Sequence, residues 1–153
     1  MTAKPTTPCV FCRILQGELT PGVIAFRDSE TAVFPSRGQQ PRNLGHMLVV
    51  PVRHVAHLYD IGDDVAGPLM TTLVRVAAAV KTVCNAEGVS IRQNNELHGG
   101  QDVFHVHFHV VPRFADDGFV GLGRSLGTIE VPVEQRIEQA QKLGEVLSRM
   151  TAG

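Results

Sequence analysis

Residues 103–111 read Val-Phe-His-Val-His-Phe-His-Val-Val, with imidazole and apolar side chains alternating from His105 onward. Strict alternation specifies a β-strand, because successive side chains of a strand point to opposite faces. Val106, Phe108 and Val110 then face a core, and His105, His107 and His109 form one row on the other face. A rise of about 3.3 Å per residue sets neighbouring imidazoles on that row roughly 6–7 Å apart, so that two of them reach one phosphate or one metal ion. Such a row needs a folded body behind it. A chain of 153 residues, 43% hydrophobic and 19% charged, is long and apolar enough for one globular domain.

Charge and cysteine content narrow the setting. Fourteen Lys and Arg stand against 15 Asp and Glu, giving a net charge of −1. That balance creates no field to draw in nucleic acid or an anionic membrane, so neither is expected as a partner. An anionic ligand has to be held by local groups. Met1 to Pro8 carries one lysine and no apolar run, which is unlike a signal peptide, and the apolar run Val76 to Val80 is far too short to span a bilayer. Three cysteines, an odd number, do not describe a disulfide framework, and a reducing, cytoplasmic setting is expected.

Along the chain, residues 1–8 read as a flexible tail and 9–153 as a single domain: a core over 9–114, a flexible glycine-rich loop over 115–130 and a C-terminal helix over 131–150. Cys9 to Leu15 forms a short helix closing at Gly17. Val23 to Arg27 and Thr31 to Phe34 form a hairpin around Asp28-Ser29-Glu30. Pro35 to Gly45 is loop, and His46 to Pro51 a strand ended by its proline. Val65, Leu69, Leu73, Val76, Val80 and Val83 recur at helical spacing, which predicts a long amphipathic helix starting at Asp60 to Asp64 and stopped by Gly88. Val89 to Asn94 is a strand, and Glu96 to Asp102 the loop that feeds the histidines. Pro132 opens a last helix with Val133, Ile137, Ala140, Leu143, Val146 and Leu147 on one side. Successive strands interrupted by one long helix predict an α+β domain, a mainly antiparallel sheet covered by helices.

The residue types allow three readings of the histidine row: a solvated strand edge, a metal site, or a histidine nucleophile with a helper imidazole. Three imidazoles in register beside a Gly-Gly-Gln turn disfavour the first. The pattern alone does not decide between the other two. Cys9-x-x-Cys12 is likewise open between redox, metal binding and coincidence.

The stretch His105-Val106-His107-Phe108-His109-Val110-Val111 matches the His-φ-His-φ-His-φ-φ pattern of the histidine-triad family, where φ is apolar. Gly100-Gln101 before it and Pro112-Arg113 after it resemble the bacterial, zinc-containing branch of that family. Gly45-His46-Met47-Leu48-Val49-Val50-Pro51-Val52-Arg53-His54 resembles the family's Gly-His-x-Leu-Val-Ile-Pro-Lys-x-His, and Asn94 stands eleven residues before His105, where the family places a ribose-contacting asparagine. The likeness runs from about Cys9 to Arg113.

The resemblance implies a nucleotide hydrolase or nucleotidyl transferase acting at the α-phosphate of a nucleoside phosphoramidate or dinucleoside polyphosphate. His107 is then the nucleophile, forming a nucleotidyl-histidine intermediate, and His109 holds the same phosphate. Phe34, Ser36, His46, Asn94, Gly100 and Gln101, with His109, form the nucleotide site, Gln101 and the Gly99-Gly100 backbone holding phosphate. It also implies a structural zinc on Cys9, Cys12, His54 and His105, no organic cofactor, and a homodimer with its sheet continued across the interface. The competing reading is a zinc-stabilised nucleotide-binding module with little turnover. Two departures stand out. Phe34 is followed by Pro35-Ser36-Arg37 where relatives carry an acid for the ribose hydroxyls, and Asp102 replaces a usual Ser or Thr. Asp102 is expected to assist the leaving group as a proton donor. Of the other polar candidates, His57 and His98 are expected at the surface and Cys84 in the core or at its boundary.

Overall fold

The computed structural model describes residues 8–119 and 127–151. The chain runs α1 (Val10–Leu15), β1 (Phe26–Arg27), β2 (Thr31–Pro35), β3 (Gly38–Gln39), β4 (Met47–Pro51), a 3-10 turn (Leu58–Asp60), α2 (Asp63–Val83), β5 (Gly88–Arg92), β6 (Phe108–Arg113), β7 (Ile129–Glu130) and α3 (Val133–Thr151). Five strands form one antiparallel sheet in the order β1-β2-β4-β6-β5, and β3 pairs with β7 in a separate ribbon. This is the expected α+β arrangement. No helix among the described residues is long and apolar enough to cross a membrane.

Both faces of the central strands are covered, and the period of two sorts their side chains. Val33, Met47, Val49, Val106 and Val110 pack with α2 (Leu69, Leu73, Val76) and with Leu143 and Leu147 of α3. Ala32, Phe34, Leu48 and Val50 point the other way, onto Phe11, Ile14 and Leu15 of α1. The register sets Leu48 opposite His109 and Val49 opposite Phe108. His109 therefore shares the α1 face with Leu48 and Phe34, and Phe108 turns to the α2 side.

Three boundaries differ from the sequence expectation. α2 ends at Val83 and not at Gly88, which opens β5. Asn85 takes the left-handed conformation (φ 50°), and the amides of Asn85 and Ala86 donate back to Thr82 and Lys81, which closes the helix one turn early. The histidine strand starts its ladder only at Phe108, so His105 and His107 precede it. Continuing the register would set Pro51 opposite Val106, and proline has no N–H to give; the Val106 amide donates instead to Val55 O at 2.8 Å. The alternation of faces persists without the ladder. Finally, part of the expected loops pairs: Gly38–Gln39 lies against Ile129–Glu130. The expected tail over residues 1–7 and the expected flexible loop over 120–126 lie outside the described residues.

The turn after β6 is held by one carboxylate. Asp117, buried, accepts two bonds from Arg113 (2.8 and 3.1 Å), one from Asn43 (2.8 Å) and two from the amides of Phe114 and Phe119. These bonds tie the loop before β4 to the end of the triad strand.

Candidate active site and metal centre

His107 is buried beside α1, with Phe11 edge-on to its ring at 5.1 Å and 86°. Its Nδ1 lies 2.7 Å from the backbone oxygen of His105. A carbonyl only accepts, so Nδ1 carries the proton and Nε2 is the lone-pair nitrogen of the neutral ring. His109 lies next to it, ring centroids 4.9 Å apart, because the two rings lean together across the 6–7 Å spacing of an ideal row. Behind His109, His46 Nε2 and His109 Nδ1 share one proton at 2.9 Å. Burial pushes both of these imidazoles well below the usual histidine range, with nearby Arg92 and His107 adding to it at each and His46 adding to it at His109. Both rings are neutral at physiological pH.

Asp102 reaches this cluster from the preceding loop, its Oδ1 3.4 Å from His107 Nε2. When Nε2 of His107 carries a proton as well, its bond to Asp102 holds this carboxyl down at about 2, against the opposing effect of partial burial. The expectation that Asp102 donates a proton is therefore corrected: at neutral pH it is a carboxylate and can only accept.

The loop before the triad also differs from expectation. Gln101, 3% exposed, spends its amide on bracing: Oε1 accepts from the Glu96 amide (2.7 Å), and Nε2 donates to Ala56 O (2.7 Å) and Val103 O (3.0 Å). The amides of Gly99, Gly100 and Gln101 all donate to the carbonyls of Glu96 and Leu97. All of these donors are engaged within the turn itself. The glycines serve the turn: a Cβ on Gly99 would lie 1.9 Å from Asn95 O, and Gly100 has φ +87°. Asn94 donates to Gly100 O at 3.3 Å and steadies the same turn.

Two cavities meet at the triad. The first, of about 470 Å³, has an apolar wall that includes Phe11, Ile14, Phe34, Leu48 and Val103, with His107 and His109 at one side. The second, of about 500 Å³, is lined by His46, Arg92, Asn94, Gly100 and Gln101. Ser36, Gly38, Asp102 and His109 border both. The structure thus gathers Phe34, Ser36, His46, Asn94, Gly100, Gln101 and His109 around one split pocket. Ser36 gives its hydroxyl to Gly38 O at 2.8 Å, and buried Gln39 clamps that turn to Gly45 and to Gln139 of α3.

Several pocket residues escaped the sequence reading. Phe11 sits between the two cysteines and was legible only as a helix residue. Arg136 lines the first cavity from α3 and had a signal: it stands on the buried stripe with Ala140, Leu143 and Leu147, where a charge is out of place. His57 is not solvated as expected; its ring stacks on Tyr59 (5.4 Å) and meets Phe104 edge-on (6.0 Å). His98 is exposed and Cys84 half-buried, both as expected.

The paired cysteines lie behind the triad. Cys9, Cys12, His54 and His105 each offer one ligand atom, and these atoms lie within 4.8 Å of one another. Cys9 Sγ is 3.5 Å and Cys12 Sγ 3.7 Å from His105 Nδ1, and Cys12 Sγ is 3.4 Å from His54 Nδ1. Bond lengths of a tetrahedral zinc site imply sulfur-to-nitrogen edges of about 3.6 Å, so the four donors fit zinc. His105 Nε2 donates to Pro51 O at 2.8 Å, which turns its Nδ1 lone pair toward the thiols, as a backbone carbonyl does for a metal-bound histidine. Burial, with Cys9 close by, raises the Cys12 thiol to about 11, a penalty that a divalent cation reverses.

Comparison with known proteins finds relatives in sequence and in fold. The model of the HIT domain matches residues 20–116. An uncharacterised HIT-like protein of Methanocaldococcus jannaschii is 35% identical over 112 residues, 73% of this chain and 84% of its own length. The adenosine 5'-monophosphoramidase of Candida albicans is 30% identical over 147 residues, 93% of each chain. Among solved structures, a zinc-bound histidine triad family protein from Mycobacterium smegmatis superposes with a TM-score of 0.75 at 27% identity, covering 95% of this chain and 96% of the other.

The buried pair His46 and His109 makes stability depend on pH. A histidine with a lowered folded pKa lets the unfolded chain take up its proton first, so stability present above about pH 6.5 is lost as pH falls toward the folded value. Asp102 contributes in the same direction but only below about pH 4. The thermal midpoint is expected to fall between pH 7 and pH 5, and less steeply in His46→Gln. Parallel pH profiles for the two proteins, measured by circular dichroism, would remove His46 from this account.

Proposed function

This chain belongs to the histidine-triad family, and from that premise we propose that it is a nucleotide hydrolase or nucleotidyl transferase acting at the α-phosphate of a nucleotide conjugate. The observation that carries the reading is the His107 ring. Its Nδ1 is pinned to His105 O, and its lone-pair Nε2 stands beside neutral His109 where the two cavities meet. The apolar cavity suits a base between Phe11, Phe34 and Leu48, with the ribose beside Ser36, and the polar cavity suits the leaving group. Nε2 attacks phosphorus of the N-protonated phosphoramidate, the P–N bond breaks with its electron pair leaving on nitrogen as neutral ammonia, and a nucleotidyl-His107 forms with its ring positively charged. His109 donates to a phosphate oxygen as charge builds there, backed by His46. Asp102, ionised and next to Nε2, balances the charged ring and then takes the proton of the water that cleaves the P–N bond to His107. The relative in Candida albicans makes adenosine 5'-phosphoramidate the first substrate to try. Turnover is expected in the intact protein and a loss of at least about 10³-fold in His107→Ala. Asp102→Asn is expected to form the intermediate and release it slowly, seen as a burst followed by a slow phase. Binding without turnover in the intact protein would favour the nucleotide-binding module instead.

We further propose that Cys9, Cys12, His54 and His105 hold a structural zinc ion, whose chemistry is to bind thiolates and imidazoles and take no part in the reaction. About one equivalent is expected by elemental analysis, with a marked drop in thermal midpoint on chelation. An equal midpoint with and without chelator would remove the structural role.

A homodimer is the third part of the proposal. Ile91 on the edge strand β5 is 48% exposed, and Met70 and Val74 on α2 are 54% and 63% exposed. An unpaired strand edge beside bare apolar side chains is a surface that a second copy covers. Sedimentation is expected to give twice the chain mass, and Ile91→Asp with Val74→Asp to give the monomer; a monomer from the unaltered chain would dismiss the dimer.

A further inference from the structure

One wall of the apolar cavity is cationic. Arg136, 7% exposed, reaches it from the first turns of α3. Its Nε donates to Val131 O at 3.1 Å, and its two terminal nitrogens find no acceptor among the described residues. Arg37 lies on the same wall, with its Nη2 2.9 Å from Glu130 Oε2. Arg37 and Arg136 are near enough to repel, and Glu130 near enough to attract both. Two guanidiniums to one carboxylate give this wall an excess of one positive charge, with the Asp102 carboxylate on the triad side of the same cavity. Two guanidiniums on one side of a cavity, only one of them paired with a carboxylate, suit a further anion between them.

The neighbouring groups say where that anion belongs. Ser36, adjoining the wall, is neutral and has given its hydroxyl proton to Gly38 O. Glu130 is occupied by Arg37. Among the described residues no unpaired carboxylate stands on this wall to accept from a pair of ribose hydroxyls, Asp102 lying at the triad, while a buried arginine has donors to spare. In nucleotide recognition an acid reads a free ribose hydroxyl and an arginine reads a phosphate on it. The planar guanidinium also suits two phosphate oxygens at once.

We infer that the wall formed by Arg37, Glu130 and Arg136 reads a phosphate on the ribose, so that the preferred nucleotide carries a 2′- or 3′-phosphate in addition to its 5′-phosphate at His107 and His109. This rests on the reading of the cavity as a nucleotide's. Arg136 is the fixed donor. Arg37, 72% exposed at its side chain, swings from Glu130 onto the added phosphate.

Calorimetric titration of the zinc-loaded, full-length protein with AMP, adenosine 2′,5′-bisphosphate and adenosine 3′,5′-bisphosphate tests this, and the two bisphosphates separate the two positions. One bisphosphate is expected to bind about tenfold or more tightly than AMP, with the stronger salt dependence of the pair. Arg136→Gln is expected to abolish most of that ratio and Arg136→Lys to restore part of it. Because Arg136 is buried and its loss can disturb folding, Glu130→Gln, at an exposed position, gives a second reading: freeing Arg37 raises the ratio. Equal affinities for AMP and both bisphosphates would overturn the inference alone, as would a ratio unchanged in both Arg136→Gln and Glu130→Gln. Failure of all three ligands to bind would overturn it together with the nucleotide reading.

Discussion

Where the sheet stops decides what the site can do. β4 and β6 pair only as far as Val49 and Phe108, since the next steps bring in Pro51, which has no amide proton. Beyond that point the backbone carries polar groups that no ladder uses, and two imidazoles take them. His105 Nε2 donates to Pro51 O, and His107 Nδ1 donates to His105 O. Each bond settles which ring nitrogen holds the proton, and therefore which one holds the lone pair. In His105 the lone pair faces the thiols. In His107 it faces the open pocket.

The same face serves both tasks because the period of two survives the end of the ladder. Val106 stays in the α2 core, fully buried, so His105 and His107 remain on the α1 side with His109, Phe34 and Leu48. α1 then brings three things at once: Cys9 and Cys12 toward His105, and Phe11 edge-on to His105 and His107. A six-residue helix has little stability of its own. It is held by its apolar side chains on the sheet and, in the proposed zinc form, by two of four ligands.

How much of this was legible in the sequence depends on the range over which each feature is determined. The stripe of α2 and the alternation around His107 are local and periodic, and both are legible in the sequence apart from their ends. Those ends were misplaced because they turn on single residues: Asn85 closes the helix before Gly88 is reached, and Pro51 acts on a strand nearly sixty residues away. Two-residue strands such as Gly38–Gln39 have no period to detect. The zinc ligands were assigned through family resemblance, and their spacing in space agrees with it. Gln101 and the glycines are a different case. Their residue types suit a phosphate, but a donor serves a ligand only if nothing nearer takes it, and the turn takes these. Asp102 is the electrostatic counterpart: its charge state is set by His107, five residues on, at a distance that spacing does not reveal.

His105 joins the two halves of the site. Its Nδ1 faces Cys9 and Cys12, its Nε2 is bonded to Pro51 O, and its carbonyl holds the proton of His107. The ring and the carbonyl belong to one residue, so a displacement of the His105 backbone changes both the approach to the cysteines and the acceptor that fixes the His107 tautomer. In the proposed function the metal centre and the nucleophile are thus separate in chemistry and joined through one residue. A hydrogen bond of this kind contributes only about 1 kcal/mol to stability. Its larger effect is on which nitrogen of His107 can attack, because an imidazole that loses the acceptor at Nδ1 is free to place its proton on Nε2, beside the Asp102 carboxylate, where no lone pair would be left for phosphorus.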